Sequence, residues 1–518
     1  MVTVRFEPEG RRFMVRRGAT LLEAAQGAGI EIRSECGGKG TCGTCRVIVE
    51  NQANLSDVSE RELRHIKPQD LRLGYRLACQ TIVEGDTVVY VPTESRLGLR
   101  RIQVEGMERP VQLDPAVRKF HLTLIKPTIQ DVKPDLERLL DSLQKVGINQ
   151  PEIDHELLKA LPDILREAEW NVTVAVWDNR RIISLEKGDT EDFLYGFSVD
   201  IGTSKVVGYL INLRSGNVVA VKSTETPQIA YGEDVLSRIS YAMKGRENLE
   251  RLRETVTEAI NTLIFEACQE AGVNLENIYE VTVVGNTAMH HFFLGIQPRY
   301  LAVSPYVPAL RGAVNVEASS PKIAVNPHGN VHVLPVIAGF VGADAVADVL
   351  ATGVHEAEEM SLLMDVGTNG EVFVGNRGHL ISCSCAAGPA FEGMHIKHGM
   401  KASTGAIERL RISPDTLEVE YETIGGGKPI GICGSGIVDA VAEMFKCGII
   451  NRQGAFNKNI QTPRLQRVNG EIEFVIAESD ETGTGSPITV GRRDVEEIQL
   501  AKAAMHTGAA VLMKRMGV

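Results

Sequence analysis

Nothing in the 518-residue sequence reaches about 18 consecutive apolar residues, so a membrane-spanning helix is excluded. The opening stretch MVTVRFEPEGRRF alternates apolar and polar residues and lacks the apolar segment of a secretory signal, which makes the cytoplasm the expected location. Positive charge is also short. The 55 Lys and Arg stand against 67 Asp and Glu, a formal net charge of -12, and the basic clusters that neutralise phosphates are missing, so no nucleic-acid partner is expected. No apolar strand runs into G-x-G-x-x-G, which disfavours flavin or pyridine-nucleotide binding. Tryptophan is scarce too, and Trp170 and Trp177 flank one hairpin where packing explains them. Nine cysteines cannot all pair; four fall between residues 36 and 79 and five are scattered. Without an export signal, that distribution reads as metal ligands and buried thiols, not as a disulfide framework. The length exceeds one hydrophobic core, so several domains are expected.

What is present begins with a small β-rich domain over residues 1–93, with short strands TVRF, RRFMV, RVIVE and TVVYV around the helical ATLLEAAQGAG. Its loop ECGGKGTCGTC places Cys36, Cys42 and Cys45 at C-x5-C-x2-C, and Cys79 comes later in LACQ. Three thiolates on a tight loop and a distant fourth form the pattern by which a plant-type ferredoxin holds a [2Fe-2S] cluster, here with one residue more between the first two cysteines. Gly37, Gly38, Gly40 and Gly43 relieve the backbone of Cβ clashes and let N–H groups aim at sulfur. Zinc is the alternative, since four thiolates also suit it. Zinc ribbons, however, usually offer two C-x2-C knuckles, and only Cys42 and Cys45 form one.

Residues 94–118 contain prolines and arginines without a sustained period and read as a linker. Residues 119–190 come next as a small α+β region carrying no obvious chemistry. The second half holds an internal repeat. FLYGFSVDIGTSKVVGYLINLRSGNVVAV and MSLLMDVGTNGEVFVGNRGHLISC share one layout: apolar strand, Asp-x-Gly-Thr, second strand, Gly-containing turn, third strand. Gly202 and Gly367 let backbone N–H groups approach phosphate, while Thr203, Ser204, Thr368 and Asn369 add donors. Asp200 and Asp365 are placed to face a hydrated Mg²⁺, which commonly takes one or two carboxylates. A tight hairpin turn explains either loop alone; the pair points to nucleotide. The stretches VTVVGNTAMHHF, VIAGFVGADAVADVL and ICGSGIVDAVAEMF fit either a nucleotide cleft or close packing, and His290, His291, His395 and His398 read as structural.

The ferredoxin loop with LACQ, and then in order VDIGTS, VVGNTAMHH, MDVGTNGE, AAGPAFEG and GICGSGIVDA, resembles the reductive activators of corrinoid proteins over essentially the whole chain. The resemblance implies a multidomain α/β protein. It has a β-grasp ferredoxin-like domain (1–93), a small α+β middle domain (119–190) and a duplicated actin-like, ribonuclease H-like domain (191–518) whose second lobe starts near 360. It implies an ATP-hydrolysing electron-transfer activase that returns an inactive Co(II) corrinoid protein to Co(I), using the [2Fe-2S] cluster, ATP and Mg²⁺. An external low-potential donor would recharge it, and self-association as a homodimer stays open. A plant-type centre sits near about −400 mV, and the corrinoid couple is implied to be lower, so transfer runs uphill and ATP supplies the bias. Actin-like domains carry an adenosine-contacting Gly-rich turn after the helices of the second lobe. This sequence ends on DVEEIQLAKAAMHTGAAVLMKRMGV, so the turn is expected upstream or the chain is expected to be shorter than its relatives. The competing readings are activation of another low-potential enzyme such as a dehydratase, and a small-molecule kinase under redox control.

Overall fold

The computed structural model describes residues 1–518 except 8–10, 29, 31, 33, 35, 50, 93, 94, 96–110, 233, 368, 394, 401 and 469. Thr368 and most of the 94–118 linker therefore lie outside the described residues. Met1–Val91 and the described residues from 111 to Ala347 form one compact unit, and Asp348–Val518 belongs to a second. No described helix is long and apolar enough to cross a membrane.

The first unit opens with a five-stranded mixed sheet. Its order is Arg11–Val15, Val2–Glu7, Thr87–Tyr90, Arg46–Val49, Tyr75–Leu77, with the Val2–Glu7 and Thr87–Tyr90 pair parallel. Helix Leu21–Gly27 starts there because Thr20 and Glu23 form a reciprocal capping box. Leu21, Leu22, Ala24 and Ala25 of this helix are buried in the same core as Val4, Phe6, Val47 and Leu77. This is the β-grasp arrangement the sequence predicts, one helix held by a mixed sheet.

A second sheet, ordered Val117–Thr123, Asn171–Trp177, Arg181–Lys187, Glu152–Ile153, carries helices Asp135–Lys145 and His155–Glu167. Its first strand begins at Val117, two residues inside the stretch read as linker, because Val117 and Arg118 already pair with Trp177 and Val176. Polar groups that are inconspicuous in the sequence bond this region to the chain beyond residue 190. Buried Lys119 donates to Glu186 at 2.7 Å and to the carbonyls of Thr190 and Phe193 at 2.9 and 3.0 Å. Tyr279 donates to Glu186 at 2.7 Å, and Trp177 Nε1 donates to Glu280 at 2.8 Å. Burial pushes the Glu280 carboxyl up to about 7. A fragment beginning at residue 191 exposes Tyr279 and Glu280; it is expected to unfold at lower denaturant than one beginning at 111, and equal midpoints would contradict this role for the middle region.

The third sheet has the order Val218–Glu225, Lys205–Asn212, Tyr195–Ile201, Ile278–Gly285, Asn330–Val333, Val314–Glu317. Helix Arg246–Ala271 covers it with Leu249, Leu252, Val256, Ile260, Leu263 and Ala267, a 3–4 spacing that makes one apolar stripe, and ends on Gly272 in the left-handed region. In the second unit the meander Ser361–Val366, Gly370–Asn376, His379–Cys385 repeats the first three strands of that sheet. The repeat stops there. Tyr195–Ile201 has a parallel neighbour in Ile278–Gly285, whereas among the described residues Ser361–Val366 pairs only with Gly370–Asn376. Helix Arg492–Met516 packs on the meander, where Gly370 and Gly508 leave room for Met505 and for the thiols of Cys383 and Cys385.

Candidate functional site

The loop between helix Leu21–Gly27 and strand Arg46–Val49 carries three of the cysteines, and the turn after Tyr75–Leu77 carries the fourth. Cys36, Cys45 and Cys79 are buried and Cys42 is half-buried. Cys36 contacts Cys42 and Cys79, and Cys45 contacts Cys79. Proton sharing with Cys42 holds Cys36 below the usual thiol range, and sharing with Cys79 does the same for Cys45. The partners Cys42 and Cys79 are pushed up by the same bonds to Cys36.

The spread of the sulfurs separates the two candidate centres. A tetrahedral zinc with Zn–S near 2.3 Å holds its four sulfurs about 3.8 Å apart. Among the described residues, the one group of three or more potential ligands whose atoms all lie within 4.8 Å of one another is Asp154, Glu317 and His328, which includes no cysteine. The contacts instead run as a chain, Cys42–Cys36–Cys79–Cys45, a spread-out set that suits a binuclear centre. Gly37, Gly38, Gly40 and Gly43 all take left-handed φ, from +61 to +87°. Gln80 donates to Cys79 Sγ at 3.3 Å and to the Gly38 carbonyl at 3.2 Å, and the Thr44 hydroxyl lies 3.1 Å from Cys42 Sγ. Arg61 fixes the Lys39 carbonyl at 2.8 Å. These residues fit a [2Fe-2S] centre and hold the four cysteines in place.

A buried ion pair fastens the turn that carries the fourth cysteine. Glu62 bonds Arg76 at 2.8 Å and also accepts from the Leu77 amide at 3.1 Å and the Thr81 hydroxyl at 3.0 Å, so it grips both sides of Cys79. Burial opposes its charge, but the Arg76 bond and the Ser59 and Leu77 amides outweigh it and hold the carboxyl below its usual range. Neither residue stands out in sequence, because 14 residues separate them.

In the first repeat, Asp200 is the next-to-last residue of strand Tyr195–Ile201, and Gly202 turns the chain toward Lys205–Asn212. Gly202 admits no side chain, since a Cβ there would sit 2.9 Å from the Lys205 carbonyl. Parallel pairing sets Ile201 beside Gly285, which brings Asn286 to the loop, where its Nδ2 donates to Thr203 Oγ1 at 2.9 Å. Thr287 donates to Ala338 at 2.7 Å, and Gly342 lies against the Asn286 backbone. Two of the ambiguous Gly-rich stretches therefore meet beside the first Asp-x-Gly-Thr loop. In the second repeat, Asp365 stands directly opposite Glu371, and the Gly367 amide bonds the Asn369 carbonyl at 3.2 Å. Glu371 is a carboxylate that the motif pattern alone does not single out, although it lies within MDVGTNGE.

The histidines are structural. His291 donates from Nδ1 to the Thr287 carbonyl at 2.7 Å and accepts from the Ala309 amide at 3.1 Å, which fixes its tautomer. His398 meets the Thr489 hydroxyl at 3.2 Å. His290 is 2% exposed with neither ring nitrogen bonded, and burial, then neighbouring His291, lowers its pKa from 6.5 to about 4. Its neutral form stabilises the fold above pH 6.5, and that stability is lost as pH falls toward 4, about 3 kcal/mol in all. Denaturant melts over this range should show the loss, and His290→Phe should flatten it; an unchanged slope would refute the assignment.

Fold and site together define a ferredoxin domain fused to an actin-like phosphate-binding domain. Family models match along the chain: a 2Fe-2S iron-sulfur cluster binding domain over residues 4–84, the RACo linker region over 106–192, the RACo middle region over 195–357 and the C-terminal ASKHA domain of RACo over 359–518. The corrinoid activation enzyme RamQ of Eubacterium limosum is 32% identical over 97% of this chain and 82% of its own length. The Co(II) methylated amine-specific corrinoid protein reductase of Methanosarcina barkeri is 26% identical over 63% of this chain and 60% of its own. A solved reductive activator for a corrinoid, iron-sulfur protein superposes with a TM-score of 0.70 at 37% identity, covering 100% of this chain and 84% of that one. The chain belongs to the RACo family of reductive activators of corrinoid proteins.

Proposed function

We propose that the protein uses ATP to drive one electron from its [2Fe-2S] centre to the Co(II) corrinoid of a methyl-transferring partner, restoring Co(I). The observation that carries this reading is the convergence of Cys36, Cys42, Cys45 and Cys79 from one Gly-rich loop and the turn after Tyr75–Leu77, which suits a binuclear one-electron centre, on a chain that also holds two Asp-x-Gly-Thr loops. Lys39 and Thr41 at the rim of the cysteine loop are exposed, which leaves a face for an external donor and for the corrinoid partner. Asp200, Gly202, Thr203 and Ser204 are assigned to phosphate and magnesium in the first unit, and Asp365, Gly367, Thr368 and Asn369 to the same chemistry in the second. The working division is a ferredoxin domain at 1–93 and an actin-like domain from 191.

Replacing one ligand tests the electron path. Cys42→Ala should lose the [2Fe-2S] signal and reduce no Co(II) partner, yet bind Mg-ATP with unchanged affinity. Reduction by this variant at the wild-type rate would exclude the centre as the donor.

A further inference from the structure

We propose that Arg238 is a positioning residue that links the first phosphate loop to the cysteine loop, so that nucleotide occupancy alters the surroundings of the cluster. The proposal rests on the reading of Asp200–Ser204 as a nucleotide loop.

The link is a continuous set of contacts within the first unit. Arg238 lies on helix Val235–Ala242 and is 0% exposed. Its Nη2 donates to the Thr203 carbonyl of the phosphate loop, and its Nε donates to the Gly232 carbonyl at 2.6 Å. Nη1 reaches Gln228 Oε1 at 3.4 Å and Met289 Sδ at 3.6 Å, the latter on the helix that begins after Asn286. A guanidinium is a planar, rigid fork, so a shift of the Thr203 carbonyl cannot be absorbed without moving or breaking the bond to Gly232.

Gly232 in turn has no slack. A Cβ added there would stand 2.8 Å from Ser237 Cβ and 2.9 Å from the Arg238 amide. The residues beside it form the seat for the ferredoxin domain. The Ala230 carbonyl accepts from Gln26 Nε2 on helix Leu21–Gly27. The Tyr231 carbonyl faces Gly37, where an added Cβ would lie only 3.1 Å away. Gly37 has φ +61° and adjoins Cys36, so this contact is backbone against backbone beside a cluster ligand. Hydrogen bonds and packing around the sulfurs set the potential of an iron–sulfur centre, so a displaced Gly37 changes a measurable property.

The full-length, cluster-loaded protein tests this by visible circular dichroism of the oxidised centre and by its reduction equilibrium, each with Mg-ATP and Mg-ADP, while calorimetry reports nucleotide binding. Mg-ATP is expected to change the dichroism and to move the reduction equilibrium about fivefold or more, within the usual range for coupled sites. In Arg238→Lys, which keeps the charge and loses the fork, the response should fall to less than about a fifth of wild type while affinity stays within about tenfold. Because a buried arginine can be needed for folding, Gln26→Ala provides a second arm: it removes the ferredoxin tether, touches neither loop and should weaken the response at unchanged affinity. Nucleotide binding without any change at the cluster in the wild type would overturn the proposal and leave the nucleotide reading intact. No binding at all would overturn both, and an undiminished response in both variants would overturn the role of Arg238.

Discussion

Asp200→Ala and Asp365→Ala are each expected to lower ATP-dependent reduction of the corrinoid partner on the order of 100-fold, the usual loss when one preorganised electrostatic contact is removed from a charged reacting group. The absorption and resonance spectra of the cluster should not move, because neither aspartate lies in the ferredoxin domain. The second repeat carries an extra signature. Asp365→Ala should also abolish the gain in stability that Mg-ATP gives the wild type. Variants that reduce the partner at the wild-type rate would make the repeated loops purely structural.

Glu62→Gln is expected to have the largest effect on stability. It leaves the Arg76 guanidinium buried without its counter-charge, at 1% exposure, and weakens the grip on Leu77 and Thr81 that frames Cys79. Removing one partner of such a pair costs about 3–5 kcal/mol. Cluster absorbance should therefore bleach at markedly lower temperature, while nucleotide binding by the actin-like domain persists. The pH dependence comes from the lowered carboxyl. Its contribution is present above the ordinary value near 4.5 and is lost as pH falls through the folded value, so the wild-type cluster should be acid-labile below about pH 4.5 and the variant should not show that added step. A bleaching temperature equal to wild type would show that the pair does not hold the fourth ligand.

The cysteine loop and the turn carrying Cys79 could be singled out in the sequence because their spacing is local and chemically restrictive. The two Asp-x-Gly-Thr hairpins stood out because they repeat. What escaped was set by pairings between distant segments. Asn286 was visible within VVGNTAMHH, but its contact with Thr203 depends on the parallel register that puts Gly285 beside Ile201. Arg238 and Lys119 look like surface cations in sequence and are buried in the fold. The middle region, which had no apparent chemistry, supplies Trp177 and Glu186 to Glu280 and Tyr279. The duplication was read correctly in its three-strand meander, yet it did not foretell that the parallel partner of Tyr195–Ile201 has no counterpart among the described residues beside Ser361–Val366.

The most direct measurement is to photoreduce the cluster anaerobically and track the corrinoid spectrum of the Co(II) partner with and without Mg-ATP. A centre near about −400 mV faces a tenfold penalty for every ~59 mV by which its acceptor lies lower. Little Co(I) is therefore expected without nucleotide, and nearly complete conversion is expected once Mg-ATP is added. Equal rate and extent in both conditions, or no Co(I) in either, would contradict ATP-driven reductive activation.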